Sequence, residues 1–242
     1  MDLLDGSAGA DPALDVATAH ALLGLVAAGG RGPVLRSYRP GPTVAFGRRD
    51  SFLPGFGRAV AAARGHGFTP VVRGAGGRAA AYDAGCLVFD EIVPAADSMT
   101  GIQARFSEEA ERQARALRAL GVDARVGQVP GEYCPGEFSV NARGVTKLIG
   151  AAQRIVRGAW LLSTVVVVSS GALVRAVLED VYAELGLDWD PATAGSVADE
   201  VPGVGVEDVR QALLEAYGPL TPTSLGPSEL AAAWELAARY RV

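Results

Sequence analysis

The hydrophobic pattern predicts helices at six places along the chain. Asp11-Pro12 supplies a helix N-cap followed by proline at the first helical position, and apolar residues then recur at helical spacing until Gly29-Gly30. Between residues 103 and 120, alanine, leucine and phenylalanine lie opposite glutamate and arginine, which is typical of an amphipathic helix. The predicted helices cover residues 11–28, 58–66, 103–120, 173–185, 206–217 and 228–240.

Short apolar runs rich in valine, isoleucine and phenylalanine separate these helices and predict β-strands. They cover residues 34–38, 43–46, 69–72, 79–81, 86–93, 122–126, 137–140, 146–149, 153–157 and 160–168. Arg39-Pro-Gly-Pro42 has turn chemistry, so the first two strands are predicted to form a hairpin. Mixed strands with intervening helices predict an α+β fold, in which mixed or antiparallel sheets pack against helices.

The pattern contains no repeat, no low-complexity tract and no second hydrophobic core, so we predict one domain over residues 1–242. Residues 1–11 are small and acidic, and we expect them to be loose. Residues 188–242 are predicted to form a helical tail. Within it, residues 188–202 are the best candidate for a linker.

Composition and charge narrow the class of protein. Hydrophobic residues make up 49% of the chain and charged residues 20%, as in a globular protein. A net charge of −5 argues against nucleic acid or an anionic membrane as a partner. The N-terminus lacks the pattern of a signal peptide, and the longest apolar run, residues 159–168, is too short to span a bilayer. Two cysteines fit a reducing cytoplasm better than a disulfide framework, and two histidines without a Cys-x-x-Cys predict no metal site.

Lys147 is the only lysine among 22 basic side chains. A lysine presents a compact ammonium that can point at a single oxygen, whereas arginine is a planar fork. Thirteen residues before it, Cys134 lies in a turn-like Tyr-Cys-Pro-Gly. A thiol and a lone ammonium joined through a predicted hairpin indicate acyl chemistry. A small buried cysteine and a solvated surface lysine remain the alternatives.

Three stretches resemble one family of enzymes. Lys147-Leu-Ile-Gly-Ala-Ala-Gln-Arg154 is similar to the lysine loop of the lipoate/octanoate branch of the biotin–lipoate protein ligase superfamily. Arg73-Gly-Ala-Gly-Gly77, followed by Tyr82-Asp83-Ala-Gly85, resembles the glycine loop of the same branch. The turn around Cys134 is most similar to that of the octanoyltransferases that use glycine cleavage protein H, in which the matching cysteine carries an acyl thioester.

The resemblance implies a catalytic domain with the class II biotin–lipoate ligase fold. It implies transfer of an octanoyl or lipoyl group to the lysine of a lipoyl domain, such as glycine cleavage protein H or a 2-oxoacid dehydrogenase E2 subunit. Cys134 would carry the acyl thioester and Lys147 would polarise the carbonyl, with lipoate or octanoate as substrate and no cofactor. The residues expected to bind the acyl substrate are Arg73, Gly76, Gly77, Tyr82, Asp83, Gly150 and Ala151.

Two other functions stay open at this point. An ATP-dependent lipoate–protein ligase would form a lipoyl-adenylate with ATP and Mg²⁺, using an accessory domain on a separate chain. Val72 before Arg73, where ligases often have arginine, and Tyr82, where they usually have histidine, count against it. A non-catalytic protein that binds lipoyl domains or acyl groups is the third possibility. No histidine lies in either motif, so the sequence assigns no residue to proton transfer.

Overall fold

A computed structural model describes residues 1–242. Its strands are β1 (Asp2–Asp5), β2 (Val34–Tyr38), β3 (Thr43–Phe46), β4 (Thr69–Val72), β5 (Ala80–Tyr82), β6 (Cys86–Ala95), β7 (Ala124–Val126), β8 (Val140–Ala142), β9 (Thr146–Val156), β10 (Gly158–Val167) and β11 (Thr221–Thr223). Its α-helices are α1 (Pro12–Ala27), α2 (Phe56–Gly65), α3 (Ile102–Ala119), α4 (Gly171–Leu185), α5 (Val197–Glu200), α6 (Val206–Ala216) and α7 (Pro227–Ala237). Two short 3₁₀ helices cover Asp50–Phe52 and Pro191–Thr193.

The strands form two sheets. The large sheet has eight strands in the order β11-β1-β2-β6-β10-β9-β8-β7, and the small sheet has three in the order β4-β3-β5. Most pairs in the large sheet are antiparallel, while β1 runs parallel to both of its neighbours. This mixed architecture confirms the predicted α+β class. None of the helices is both long and apolar enough to cross a membrane.

Helix α1 is held between the large sheet and the C-terminal helix. Its start matches the prediction, because the Asp11 carboxylate accepts a hydrogen bond from the Ala13 N–H and Pro12 opens the first turn. One part of its surface packs on β6 and β10, and another packs on α7. Burial on more than one side explains why most of its residues are apolar or small.

Two predictions about strand pairing are wrong. β2 and β3 do not form a hairpin, since β2 belongs to the large sheet and β3 to the small one. Pro40 and Pro42 in the connection have no N–H to continue a ladder, so the chain leaves one sheet and enters the other there. The strands predicted at 146–149 and 153–157 are one strand, β9, because Gly150, Ala151 and Ala152 continue the pairing with β10.

The two ends of the chain are more ordered than the sequence predicted. Within residues 1–11, β1 pairs with both β2 and β11, and Leu4 is buried, so this segment is not loose. The helical tail predicted for residues 188–242 does contain α5, α6 and α7, but β11 also joins the large sheet. Residues 188–202 are not a linker, because Ala194 is buried and forms an isolated bridge with Lys147.

Candidate active site

A cavity of about 470 Å³ lies on the inner face of the large sheet. Strands β2, β6, β9 and β10 provide one side of it, and α1, the first turns of α3, the small sheet and the loops at residues 73–77 and 133–139 provide the rest. Most of the lining side chains are apolar. Both residues that the sequence singled out for chemistry, Cys134 and Lys147, line this cavity.

Cys134 occupies a left-handed turn with φ +42°, a conformation that residues other than glycine rarely adopt. Its backbone N–H donates to the Tyr182 hydroxyl at 2.8 Å, and that hydroxyl donates to the Ala79 carbonyl at 2.9 Å. Burial raises the pKa of Tyr182 well above its usual value, so the phenol keeps the proton that it donates. Tyr182 therefore joins the cysteine loop to the segment that follows the glycine loop.

The Cys134 sulfur accepts hydrogen bonds from the glycine loop. The backbone N–H of Arg78 lies 3.2 Å from Sγ, and the Arg73 guanidinium lies 3.6 Å from it. Arg73 also donates to the Arg78 carbonyl at 2.9 Å, which fixes the guanidinium beside the sulfur. Gly77 has φ +98°, and a Cβ there would lie 2.8 Å from Sγ, so only glycine fits this close approach.

Lys147 is buried, with 2% of its surface exposed, which excludes the solvated surface lysine considered as an alternative. Its ammonium donates to the Cys134 carbonyl at 2.8 Å, the Tyr133 carbonyl at 3.1 Å and the Glu132 carboxylate at 3.2 Å. All three of its N–H groups thus have acceptors in the cysteine loop. A Cβ at Gly150 would lie 3.2 Å from Cε of Lys147, so the glycine leaves room for the lysine side chain.

Glu132 is a central residue of the site that the sequence analysis missed. Its buried carboxylate accepts from the backbone N–H groups of Val129 at 3.2 Å and Gly136 at 2.9 Å, and from the Ser139 hydroxyl at 2.7 Å, besides pairing with Lys147. It therefore ties both ends of the cysteine loop to strand β9. The signal available in the sequence was an acidic residue two positions before the only non-core cysteine, which is too common a pattern to identify it.

Asp50 is a second missed residue, and it positions the glycine loop. Its fully buried carboxylate accepts from the Gly47 N–H at 2.8 Å and pairs with the Arg78 guanidinium at 3.1 Å. Arg78 is the residue whose backbone N–H meets the Cys134 sulfur. Asp50 therefore holds one of the two sulfur donors in place.

The remaining predicted residues fall into two groups. Gly76, Tyr82 and Ala151 line the cavity, and burial raises the pKa of Tyr82. Asp83 does not line it, because its carboxylate caps the turn before β6 and accepts from the Gly85 N–H at 2.8 Å. Cys86 is fully buried in the core, where burial raises the pKa of its thiol to about 11.

The structure brings a histidine to the cavity that neither motif contains. His20 reaches it from α1, and its ring stacks on Tyr240 at a centroid distance of 5.1 Å. Burial, with a smaller effect of the Arg154 charge, lowers the pKa of His20 to about 4, so the ring is neutral at pH 7. The sequence offered only its position within the predicted helix at residues 11–28, where a histidine is usually structural.

Comparisons with known proteins agree on one family. The sequence profile described as the lipoyl protein ligase A/B catalytic domain matches residues 11–218. The chain is 31% identical over 184 residues to an octanoyl-[GcvH]:protein N-octanoyltransferase of Geobacillus kaustophilus, covering 76% of this chain and 64% of that protein. A protein of the same description from Exiguobacterium sp. is 31% identical over 208 residues, covering 81% of this chain and 72% of its own length. In Exiguobacterium sibiricum the match covers only 55% of the relative, so the chain spans between about half and three quarters of these proteins.

Solved structures of lipoate ligases share the fold. A lipoate-protein ligase A bound with ATP superposes with a TM-score of 0.75 at 22% identity, covering 98% of this chain and 94% of that one. A bi-partite lipoate protein ligase from Thermoplasma acidophilum, described together with its E2 lipoyl domain, superposes with a TM-score of 0.72 at 21% identity, covering 99% and 93%. At these identities the likeness concerns the fold alone.

Proposed function

Because the chain belongs to the lipoyl protein ligase A/B catalytic domain family, we propose that it transfers an octanoyl or lipoyl group to the lysine of a lipoyl domain. The acyl group passes through a thioester on Cys134, and residues 1–242 act as one catalytic domain. The partners are lipoyl-domain proteins such as glycine cleavage protein H and 2-oxoacid dehydrogenase E2 subunits. We place this activity in the cytoplasm, where a thiol stays reduced.

The position of the Cys134 sulfur carries this proposal. The sulfur lines an apolar cavity and accepts hydrogen bonds from the Arg78 N–H and the Arg73 guanidinium. These donors would stabilise negative charge on sulfur as the thiol attacks a carbonyl. A buried structural cysteine, such as Cys86, has neither the cation nor the access to a cavity.

The reaction balances without a cofactor. In the first half, the Cys134 sulfur attacks the acyl carbonyl of an acylated lysine on the donor protein, the C–N bond breaks, and the leaving amine takes the thiol proton. In the second half, the amine of the acceptor lysine attacks the thioester, the C–S bond breaks, and the sulfur regains a proton from that amine. Each half is an acyl transfer without a change in oxidation state, so neither ATP nor a redox cofactor is consumed.

Lys147 polarises the acyl carbonyl by exchanging one of its present acceptors for the substrate oxygen. The Cys134 carbonyl, at 2.8 Å, belongs to the reacting residue itself, so an acyl group on that residue lies near the ammonium. A donor aimed at the oxyanion of an acyl-transfer transition state is worth about 3–4 kcal/mol. Gly76, Gly77, Gly150 and Ala151 leave space for the acyl group between Arg73 and Lys147.

The test is to measure the mass of the intact protein after incubation with an octanoylated glycine cleavage protein H. We expect a mass increase of one octanoyl group, which hydroxylamine removes and which maps to Cys134. Cys134→Ser should lose both the increase and transfer to a second lipoyl domain, because a hydroxyl is a poor nucleophile in a site built for a thiol. Cys86→Ala is the matched control and should keep both, since this thiol is buried in the core.

Parallel incubations test the other two functions. In one, the protein receives free lipoate, ATP and Mg²⁺ instead of the octanoylated donor. Acylation of a lipoyl domain only in that incubation, or full transfer by Cys134→Ser, would establish a ligase and refute the thioester mechanism. Binding of the lipoyl domain without acylation under either condition would establish a non-catalytic binding protein.

A further inference from the structure

A row of polar side chains crosses the face of the large sheet that borders the cavity. In the strand register, Arg36 of β2 is paired with Asp90 of β6, and Asp90 is paired with Ser163 of β10. Directly paired residues point to the same face of a sheet, so these three side chains lie side by side. Asp90 and Ser163 both line the acyl cavity.

One oxygen of the Asp90 carboxyl group is not satisfied by the protein. It is buried, with 2% of its surface exposed, and its Oδ2 atom has no hydrogen-bond partner. The nearest cation is Arg36, whose Nη1 lies 3.6 Å from Oδ2, longer than a hydrogen bond. Arg36 instead donates to the carbonyl and the carboxylate of Asp15 on α1, so one guanidinium faces two carboxyl groups.

If the cavity holds only a hydrocarbon chain, the unpaired Asp90 oxygen lowers the stability of the protein. Burial raises the pKa of Asp90 more than the Arg36 charge and a contact with Ser163 lower it. A buried polar atom without a partner costs about 1–3 kcal/mol. Val88, Leu161 and Val165, which are apolar, lie beside the polar row. A ligand group that bonds to Asp90 would remove the cost.

Asp90 is displaced from Lys147 along the sheet, because it is level with Ala152 of β9 through Ser163, five residues beyond Lys147. Gly150, which contacts Lys147, is on β9, and β6 is two strands further across the sheet. Neighbouring strands are about 4.8 Å apart, so Asp90 lies roughly 10 Å from β9 across the sheet. An acyl chain that starts at Cys134 and fills the cavity therefore brings its distal carbons, rather than its carbonyl, to Asp90.

We propose that the cavity accepts an acyl chain with a hydroxyl group on its distal carbons, and that Asp90 binds this hydroxyl. The proposal rests on the proposed acyl-transfer function and specifies its substrate class. A hydroxyl both donates and accepts, so it satisfies the carboxyl group whether or not the latter carries a proton. A saturated octanoyl chain leaves Oδ2 without a partner, and the sulfurs of a lipoyl ring are weak acceptors that donate nothing.

Isothermal titration calorimetry tests this without any donor protein. The probes are octanoate and its 6-, 7- and 8-hydroxy derivatives, each titrated into the full chain and into Asp90→Val and Asp90→Asn. We expect at least one hydroxyoctanoate to bind the wild type about tenfold more tightly than octanoate, since hydrogen bonds to charged groups contribute enough for that factor. Asp90→Asn should keep the preference, and Asp90→Val should abolish it.

Two results would overturn the proposal. One is octanoate binding the wild type as tightly as every hydroxyoctanoate, a result that needs no variant and stands even if Asp90→Val does not fold. The other is a hydroxyl preference that persists in a folded Asp90→Val. Because the titration requires no thioester, loss of acyl transfer and loss of the hydroxyl preference are separate outcomes, and the first would refute only the proposed function.

Discussion

Removing the Lys147 charge should destabilise the protein, because the Glu132 carboxylate then stays buried without its cation. We consider Lys147→Met, which keeps an unbranched side chain of similar length and loses the ammonium. The Glu132 carboxylate would stay buried with its bonds to the Gly136 N–H and the Ser139 hydroxyl, but without the cation 3.2 Å away. Breaking a buried ion pair in this way typically costs about 3–5 kcal/mol.

The second variant in this experiment, Glu132→Gln, removes the charge of the carboxylate that paired with Lys147. This substitution keeps one oxygen that accepts from Gly136 and Ser139. The other oxygen, which accepts from the Val129 N–H at 3.2 Å, is replaced by an amide NH₂. Loss of that hydrogen bond costs about 1 kcal/mol of stability. In the double variant neither member of this pair is charged, so its loss of stability should be smaller than the sum of the two single losses. We expect a coupling free energy of about 2 kcal/mol or more between Lys147 and Glu132.

Urea unfolding of the wild type, both single variants and the double variant gives the four free energies of unfolding. The matched control is the same cycle on Arg58 and Glu184, an ion pair at 2.5 Å between largely exposed side chains, whose coupling should be near zero. Additivity within about 0.5 kcal/mol for Lys147 and Glu132 would refute the reasoning, because it would mean that the carboxylate gains nothing from the ammonium.

Three further predictions concern the same fold. Gly77→Ala should abolish acylation of Cys134 and cost at least about 1 kcal/mol of stability, because φ is +98° and a Cβ would lie 2.8 Å from the sulfur. Gly76→Ala, with nothing within 4 Å of its Cβ position, should leave the melting temperature unchanged, and equal effects of the two would contradict this account. Tyr182→Phe should lower the free energy of unfolding by about 1–3 kcal/mol in urea, since the Cys134 N–H loses its acceptor; an unchanged midpoint would show that the bridge is dispensable. Burial raises the pKa of Glu109 to about 7 from 4.5, so the folded state binds the proton more tightly and this group's contribution to stability falls as pH rises from about 4.5 to about 7. Glu109→Gln should remove that slope from the pH dependence of the melting temperature, and an identical slope in the variant would refute it.

Local structure could be predicted from the sequence because local signals determine it. The strands at Val34–Tyr38, Thr43–Phe46 and Thr69–Val72 match the predicted bounds, since proline and glycine mark where each one begins or ends. The start of α1 follows from an N-cap and a proline. Pairing between distant segments has no such signal. β1 and β11 meet although more than two hundred residues separate them, and the short polar runs there predicted loose chain or helix instead.

In the candidate site too, residues within a local motif could be predicted, whereas residues that act through distant contacts could not. The motifs identified Cys134, Lys147 and the glycine loop, and the structure brings these into contact. Glu132 and Asp50 could not be found, because their importance comes from burial beside groups that are far away in the sequence. Asp83 was expected at the substrate because it stands in the motif, yet it caps a turn. A motif preserves the order of residues along the chain but does not specify which of them face the cavity.

The burial of Lys147 has a consequence for what this protein can do to itself. An enzyme that holds an acyl thioester carries an electrophile that reacts with any accessible primary amine, including those on its own surface and on neighbouring copies. The chain has one lysine, 2% exposed and bonded through all three N–H groups, so its surface presents arginine guanidinium groups and no lysine amine. Arginine keeps its proton at all physiological pH values and is a poor nucleophile. In the proposed mechanism, the absence of surface lysine leaves no exposed lysine side chain of this protein to compete with the partner's lysine for the acyl group.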